Sequence, residues 1–494
     1  MRRTLVLALC AAVAAAAVPA VSMTAARDVS AAPRPAASPS PVHWSPCPPD
    51  VVQYVPLECA TLGVPLDYSK PDGRQIEVAI TRVKSKNPAQ RRGVLLTNPG
   101  GPGISGLDFP GLLAALGLPK SVLDTYDLIG MDPRGIGRST PVSCGFTAEQ
   151  ERRGLFAKYA HSSADVVRES AYAQKIANQC ATSKTASLLP YITTANTARD
   201  MDRIREALGE QKISYFGGSY GSYLGAVYTT LFPNQSDRIV IDSVLGPKGY
   251  DETAMRQFAR GLADRFPDFA KFVVAHPEYR LGTTPLQVKA KFFELARKLR
   301  AEPAVNMDET AFRVAAFEAL YADASMPQLA KLWQDIDAGN PVAPPQTYGD
   351  NAMSGRLHVI CGDSRWPTSV SAYQRDALVD RIRYPMLGGA SANIGPCAFW
   401  PNQHPEPPVK ITSHGPSNVL VVQNERDPGT PLTGARKTRQ ALGHRARMIT
   451  VDAGGHGVYP FTPSTCAKTA VDAFLVEGKL PARDLACLVE PRKK

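Results

Sequence analysis

The chain has 494 residues, 44% of them hydrophobic and 20% charged, with 56 Lys and Arg against 45 Asp and Glu and a formal net charge of +11. That balance excludes a disordered chain, which combines low hydrophobicity with high net charge, and the length excludes a mini-protein held only by cross-links. The basic excess is spread along the chain without an arginine–aromatic tract, so nucleic acid is not an expected partner.

Residues 1–26 read as a secretory signal peptide. Arg2 and Arg3 precede an apolar run from about Leu5 to Val18, and small residues suited to cleavage follow near Ala20 or Ala26. The run falls short of the roughly 18–20 residues that span a bilayer, so stable membrane insertion is not expected. The arginine pair leaves the export route open between the general and twin-arginine systems. Removing the signal takes Cys10 with it and leaves eight of the nine cysteines. An even number outside the cytoplasm points to disulfides, with sequence neighbours as the simplest pairing. Secretion to the extracellular side is the expected destination. Residues 27–46, rich in Ala, Pro and Ser, read as a flexible leader.

From Cys47 onward, short apolar strands alternate with helical stretches. Gln75–Lys84 alternates apolar and polar residues, and Gly93–Thr97 is an apolar run that opens into the glycine-rich loop NPGGPGISG. Tyr126–Met131 ends in DPRGIGRS, and Ile213–Phe216 runs into GGSYGSYLG and a helix. Arg238–Val244, Asn418–Gln423 and Arg447–Val451 complete the set. This rhythm predicts an α/β fold with a mostly parallel sheet covered on both faces. The stretch from Leu245 to Trp400 breaks it with helix-like spacing at 258–272, 285–299, 309–320 and 327–337, and Pro267 is expected to break the first of these. The expected organisation is therefore core at 47–245, a mainly helical cap at 246–400, and returning core at 401–494.

Gly217-Gly218-Ser219-Tyr220-Gly221 matches G-x-S-x-G after a strand and before a helix, the context in which the serine stands exposed on a sharp turn. A serine hydroxyl needs a base and an orienting carboxylate, which follow it in the order acid, then histidine. His444 precedes the strand at Arg447–Val451, whereas His456 in DAGGHGVY follows it, so His456 is the candidate base. The acid is expected after NVLVVQ, where Asp427 is preferred over Glu425. Two backbone donors complete the set: Tyr220 N–H, next to the nucleophile, and Gly101 N–H in the glycine loop, with Gly100 as the alternative. That loop lacks the lysine and spacing of a phosphate-binding loop. No cysteine–histidine cluster has zinc spacing, and no cofactor is called for.

NPGGPG, DPRGIGRS, GGSYGSYLG, ERDPGTP and GGHG, in this order from about Cys47 to Cys487, resemble the secreted tripeptidyl aminopeptidases of actinomycetes. These are α/β-hydrolases related to prolyl iminopeptidases. The resemblance implies the nucleophile, acid and base roles for Ser219, Asp427 and His456, and release of short peptides, typically tripeptides, from a free N-terminus. Pro99 stands where prolyl iminopeptidases carry histidine, which argues against single-proline specificity. Aminopeptidase action requires a carboxylate for the substrate's α-ammonium. Asp363 is the candidate, with Glu318 and Asp323 as others and a Cys361–Cys397 bridge beside the first. A carboxylesterase or lipase using the same three residues is the competing reading, followed by a non-catalytic binding protein. Substrate side-chain preference and oligomeric state are not encoded in any motif.

Overall fold

The computed structural model describes residues 42–154, 156–344, 347–401 and 406–490. The expected signal peptide (1–26) and most of the expected leader (27–46) lie outside these residues. Ten strands form one sheet: β1 (Ser45–Pro46), β2 (Glu58–Pro65), β3 (Gln75–Val83), β4 (Gly93–Asn98), β5 (Tyr126–Met131), β6 (Ile213–Gly218), β7 (Ser236–Asp242), β8 (Val419–Arg426), β9 (Ala446–Gly454) and β10 (Leu485–Cys487). Their order is β1-β2-β3-β5-β4-β6-β7-β8-β9-β10. The first three pair antiparallel, as does β3 with β5, and every other pairing is parallel. This is the mostly parallel, helix-covered sheet of an α/β-hydrolase.

The burial pattern explains the strand signals. Every residue of β4 and β5 is buried, because parallel strands have helices on both faces and read as unbroken apolar runs. Nearer the edge, β3 alternates at its start, with Glu77 outward and Ile76 and Val78 inward. The chain moves from β4 to one side and later resumes at β6 on the other. The carboxyl ends of β4 and β6 therefore border a switch point, where open α/β sheets bind their ligands. The loops after these two strands carry NPGGPG and Ser219.

Between β7 and β8 the chain runs through six helices of ten residues or more, from Glu252–Ala275 to Val370–Arg383. The expected break at Pro267 does not occur: Glu252–Ala275 is a single helix with the proline inside it. Its apolar stripe of Phe258, Leu262, Phe266, Phe269 and Val273 is buried, so packing outweighs the hydrogen bond the proline removes. Phe269, Phe292 and Phe312 surround the fully buried Trp333 with ring centroids 5.1–5.6 Å apart. The described cysteines pair as sequence neighbours: Cys47–Cys59, Cys144–Cys180, Cys361–Cys397 and Cys466–Cys487. No helix among the described residues is long and apolar enough to cross a membrane.

Candidate active site

Ser219 makes the turn alone. β6 ends at Gly218 and the next helix begins at Tyr220, which forces Ser219 to φ 57° and ψ −125°. A side chain held in such a conformation costs roughly 1–3 kcal/mol and persists only when its surroundings hold it there. Here Ser219 N donates to Asp242 O on β7 at 3.0 Å, and Ser222 N donates to Ser219 O at 2.9 Å. The helix also comes close to β4: a Cβ on Gly221 would lie 2.7 Å from Asn98 O, so only glycine allows this approach. The first amides of a helix have no acceptor within it, which leaves Tyr220 N–H available beside Ser219.

The loop after β4 packs against this turn. Asn98 Oδ1 accepts from Gly100 N at 3.0 Å, and a Cβ on Gly100 would lie 2.6 Å from Gly218 O. Gly100 is thus a packing residue with its donor engaged, while Gly101 faces the cavity that contains Ser219. Arg356, from the helix Gly349–Asp363, donates to Gly101 O at 3.1 Å and holds this unit from the opposite side. Nothing in the spacing of that helix marks Arg356 beforehand.

His456 follows β9 and lines the same cavity as Ser219. Its Nδ1 lies 2.9 Å and 3.0 Å from the two oxygens of Asp427, which follows β8. Asp427 is itself held by Gly429 N at 2.8 Å, Thr430 N at 2.9 Å and Thr430 Oγ1 at 2.9 Å. His456 N donates to Tyr321 O at 2.7 Å, and the Tyr321 ring packs 4.6 Å from the imidazole. Burial disfavours a charged His456, but the Asp427 charge and hydrogen bond outweigh it, and the pKa rises above the usual 6.5. A general base must be neutral to accept a proton, so activity is expected to rise with pH through a midpoint above 6.5. A kcat/KM profile with its acid limb below that value would contradict this coupling. His444 is remote from this group, exposed and facing Gly415 O at 3.3 Å.

A second carboxylate supports the histidine loop. Asp242, at the end of β7, accepts from Val458 N at 2.9 Å and Tyr459 N at 2.7 Å, and from Ser243 Oγ at 3.0 Å. Ser243 Oγ in turn accepts from Gly457 N at 2.7 Å. Three successive amides after His456 are thereby tied to one strand end. Burial pushes the Asp242 carboxyl up to about 6, against the hydrogen bonds that favour its charge. Asp242→Asn places an NH2 group among donors, and losing a buried charge-assisted bond costs about 1.5–3 kcal/mol. The expected result is a kcat about 10–100-fold lower with KM little changed; unchanged kcat would show that the loop does not need this hold. The signal in the sequence is a carboxylate at the end of an apolar parallel strand, in IVIDS.

Ser219, His456 and Gly101 open into a cavity of about 1250 Å³. Of the three carboxylates considered for an amine, only Glu318 lines it. Asp363, the preferred candidate, is turned elsewhere: it accepts from Thr194 N at 2.8 Å and Thr194 Oγ1, away from the cavity, and burial pushes it up to about 7. Asp363 ends the helix Gly349–Asp363, which the sequence spacing does not mark, and only the packing of that helix shows which way its end faces. Asp323 pairs with Arg265. Glu318 projects from the helix Glu309–Ala319, one turn before Tyr321, with the Tyr348 hydroxyl 3.5 Å away. The surrounding protein raises its pKa, and the nearby Arg356 charge offsets part of that rise.

The tripeptidyl aminopeptidase of Streptomyces lividans is 34% identical over 466 residues, covering 90% of this chain and 86% of the relative. The chain belongs to the tripeptidyl aminopeptidase family. A family model described as TAP-like protein matches residues 384–487, the segment that brings Asp427 and His456. Serine protease Hip1 of Mycobacterium tuberculosis is 28% identical over 495 residues, covering 90% of this chain and 91% of that protein. Carboxylesterase B of the same organism is 31% identical over 467 residues, covering 89% and 88%. This member of the tripeptidyl aminopeptidase family is a serine hydrolase on an α/β-hydrolase fold.

Proposed function

We propose that this protein is a secreted serine exopeptidase that releases short peptides, tripeptides by family likeness, from substrates with a free N-terminus. The observation that carries this reading is a single cavity containing Ser219, His456 and the carboxylate of Glu318. Because His456 Nδ1 is engaged by Asp427, its Nε2 is the nitrogen left for the serine. It takes the proton as Ser219 Oγ attacks the scissile carbonyl. Tyr220 N–H and Gly101 N–H stabilise the oxyanion. Collapse breaks the C–N bond, His456 gives its proton to the leaving amine, and the acyl-enzyme forms. Water, deprotonated by His456, then releases the short peptide and restores the serine. Asp427 orients the imidazole and stabilises its charged form. The helices between β7 and β8 act as the cap, contributing Glu318, Tyr321 and Arg356.

Glu318 holds the substrate's ammonium. A charge-assisted hydrogen bond between the ammonium and this carboxylate favours a free N-terminus over an acetylated one. Glu318→Gln is expected to raise KM for free-amine peptides by about 10–100-fold, the value of a charge-assisted hydrogen bond, and to leave the slow turnover of N-acetylated peptides and short-chain esters unchanged. Equal effects on both classes would reject Glu318 as the anchor. Wild-type enzyme that does not distinguish free from acetylated peptides, and turns over esters faster, would favour the carboxylesterase reading instead.

A further inference from the structure

Behind one wall of the catalytic cavity lies a second chamber of about 70 Å³. Phe156 and Arg356 line both spaces and form the partition between them. The Phe156 ring rests on Phe258 and Phe317, with centroids 5.9 and 5.8 Å away, and both of these face the catalytic cavity. Met255, Leu357, Ile360 and Trp366 give the chamber an apolar wall, and Tyr373 and Ser391 give it a polar one. Tyr373 is 3% exposed and Ser391 6%, and neither hydroxyl finds a hydrogen-bond partner among the described residues. Buried polar groups in proteins are usually paired, and although a few others among the described residues also lack a partner, Trp333 Nε1 and His358 Nε2 among them, Tyr373 and Ser391 line the same small chamber.

The charged groups at its edge are already engaged. Glu252 pairs with Arg256 at 3.1 Å, and Arg356 donates to Gly101 O. Asn393, also in the lining, donates through Nδ2 to Lys158 O at 2.8 Å and accepts through Oδ1 from Ile394 N at 2.8 Å, so the unengaged polar groups that the chamber offers an occupant are two neutral hydroxyls. A charged tip would lose its hydration without gaining a counter-ion, and an apolar tip would leave both hydroxyls unmet. One water molecule takes roughly 10–15 Å³ of such space, so about five non-hydrogen atoms fit.

We propose that this chamber is a side-chain subsite, entered past Phe156, that takes a small, uncharged, hydrogen-bonding substrate side chain of the size of threonine, asparagine or glutamine. The proposal rests on the peptidase reading of Ser219. Its test is steady-state kinetics on free-amine peptides matched in shape but not polarity, threonine against valine and glutamine against methionine, placed in turn at each residue on the acyl side. At one position the polar member should have a kcat/KM about tenfold higher, the worth of one buried hydrogen bond. The preference should fall to within about twofold in Tyr373→Phe/Ser391→Ala, while turnover of the apolar member is retained. Phe156→Ala, which opens the partition, should extend acceptance at that same position to larger side chains. Absence of any polar preference in the wild-type enzyme, or a preference that survives in the double variant, would overturn the subsite and leave the chamber as solvent space. Failure to cleave any free-amine peptide would instead contradict the peptidase reading itself.

Discussion

Ser219→Ala is expected to lower kcat by roughly 10⁶-fold, because without the hydroxyl only the oxyanion donors and binding remain. The fold should survive. Alanine keeps a Cβ at φ 57°, so the strain of the turn is neither relieved nor increased. Ser219→Gly separates the two effects. It should be as inactive as the alanine variant, yet about 1 kcal/mol more stable, since glycine adopts a positive φ without steric cost. Circular dichroism melts of the two variants, read beside their residual turnover, check this. Equal stability would mean that the turn is not strained by its side chain, and substantial turnover by either variant would remove Ser219 from its role.

Asp427→Asn should lower kcat by about 10⁴-fold, the scale seen when an amide replaces the orienting carboxylate of such a triad. The carboxylate is fully buried and accepts from Gly429 N, Thr430 N, Thr430 Oγ1 and His456 Nδ1. An asparagine can keep some of these bonds only by presenting its NH2 to another donor, and it favours the wrong tautomer of the imidazole. The sign of the pH effect follows from the same contact. Asp427 raises the His456 pKa, so its removal should move the acid limb of the residual kcat/KM profile to lower pH. An unmoved limb would mean that the titrating group is not His456 or is not coupled to Asp427. Destabilisation of about 1–3 kcal/mol, from amides left unpaired, should accompany the loss of rate.

That Ser219 and His456 share one cavity and that Asp427 meets His456 was legible in the sequence because their motifs include the glycines that aim them. Ser219 lies in a strand–turn–helix pattern, and Asp427 and His456 each follow an apolar strand whose place in the sheet could be inferred. In the glycine loop, Gly100 N is engaged by Asn98 and Gly101, the residue preferred from the sequence, lines the cavity. What sequence spacing could not show is orientation. Asp363 and Glu318 both sit on helices between β7 and β8, and only the packing of those helices turns Glu318 into the cavity and Asp363 toward Thr194. Asp242 is hidden for a different reason: the apolar run Arg238–Val244 reads as strand through the carboxylate, whereas the observed strand ends on it. Pro267 shows the reverse failure, a local breaker overruled by the buried stripe from Phe258 to Val273. The short edge strand β10 was missed because three residues carry no periodicity, although Cys487 within it is tied to Cys466.

The most direct test of the account is covalent trapping. The wild-type protein is treated with a serine-directed fluorophosphonate, digested, and its adduct mapped by mass spectrometry, alongside His456→Ala under the same conditions. One adduct on Ser219, forming with the pH dependence of turnover and at least a hundredfold more slowly in the histidine variant, is the predicted result. An adduct on another residue, or labelling of Ser219 at the same rate without His456, would contradict it.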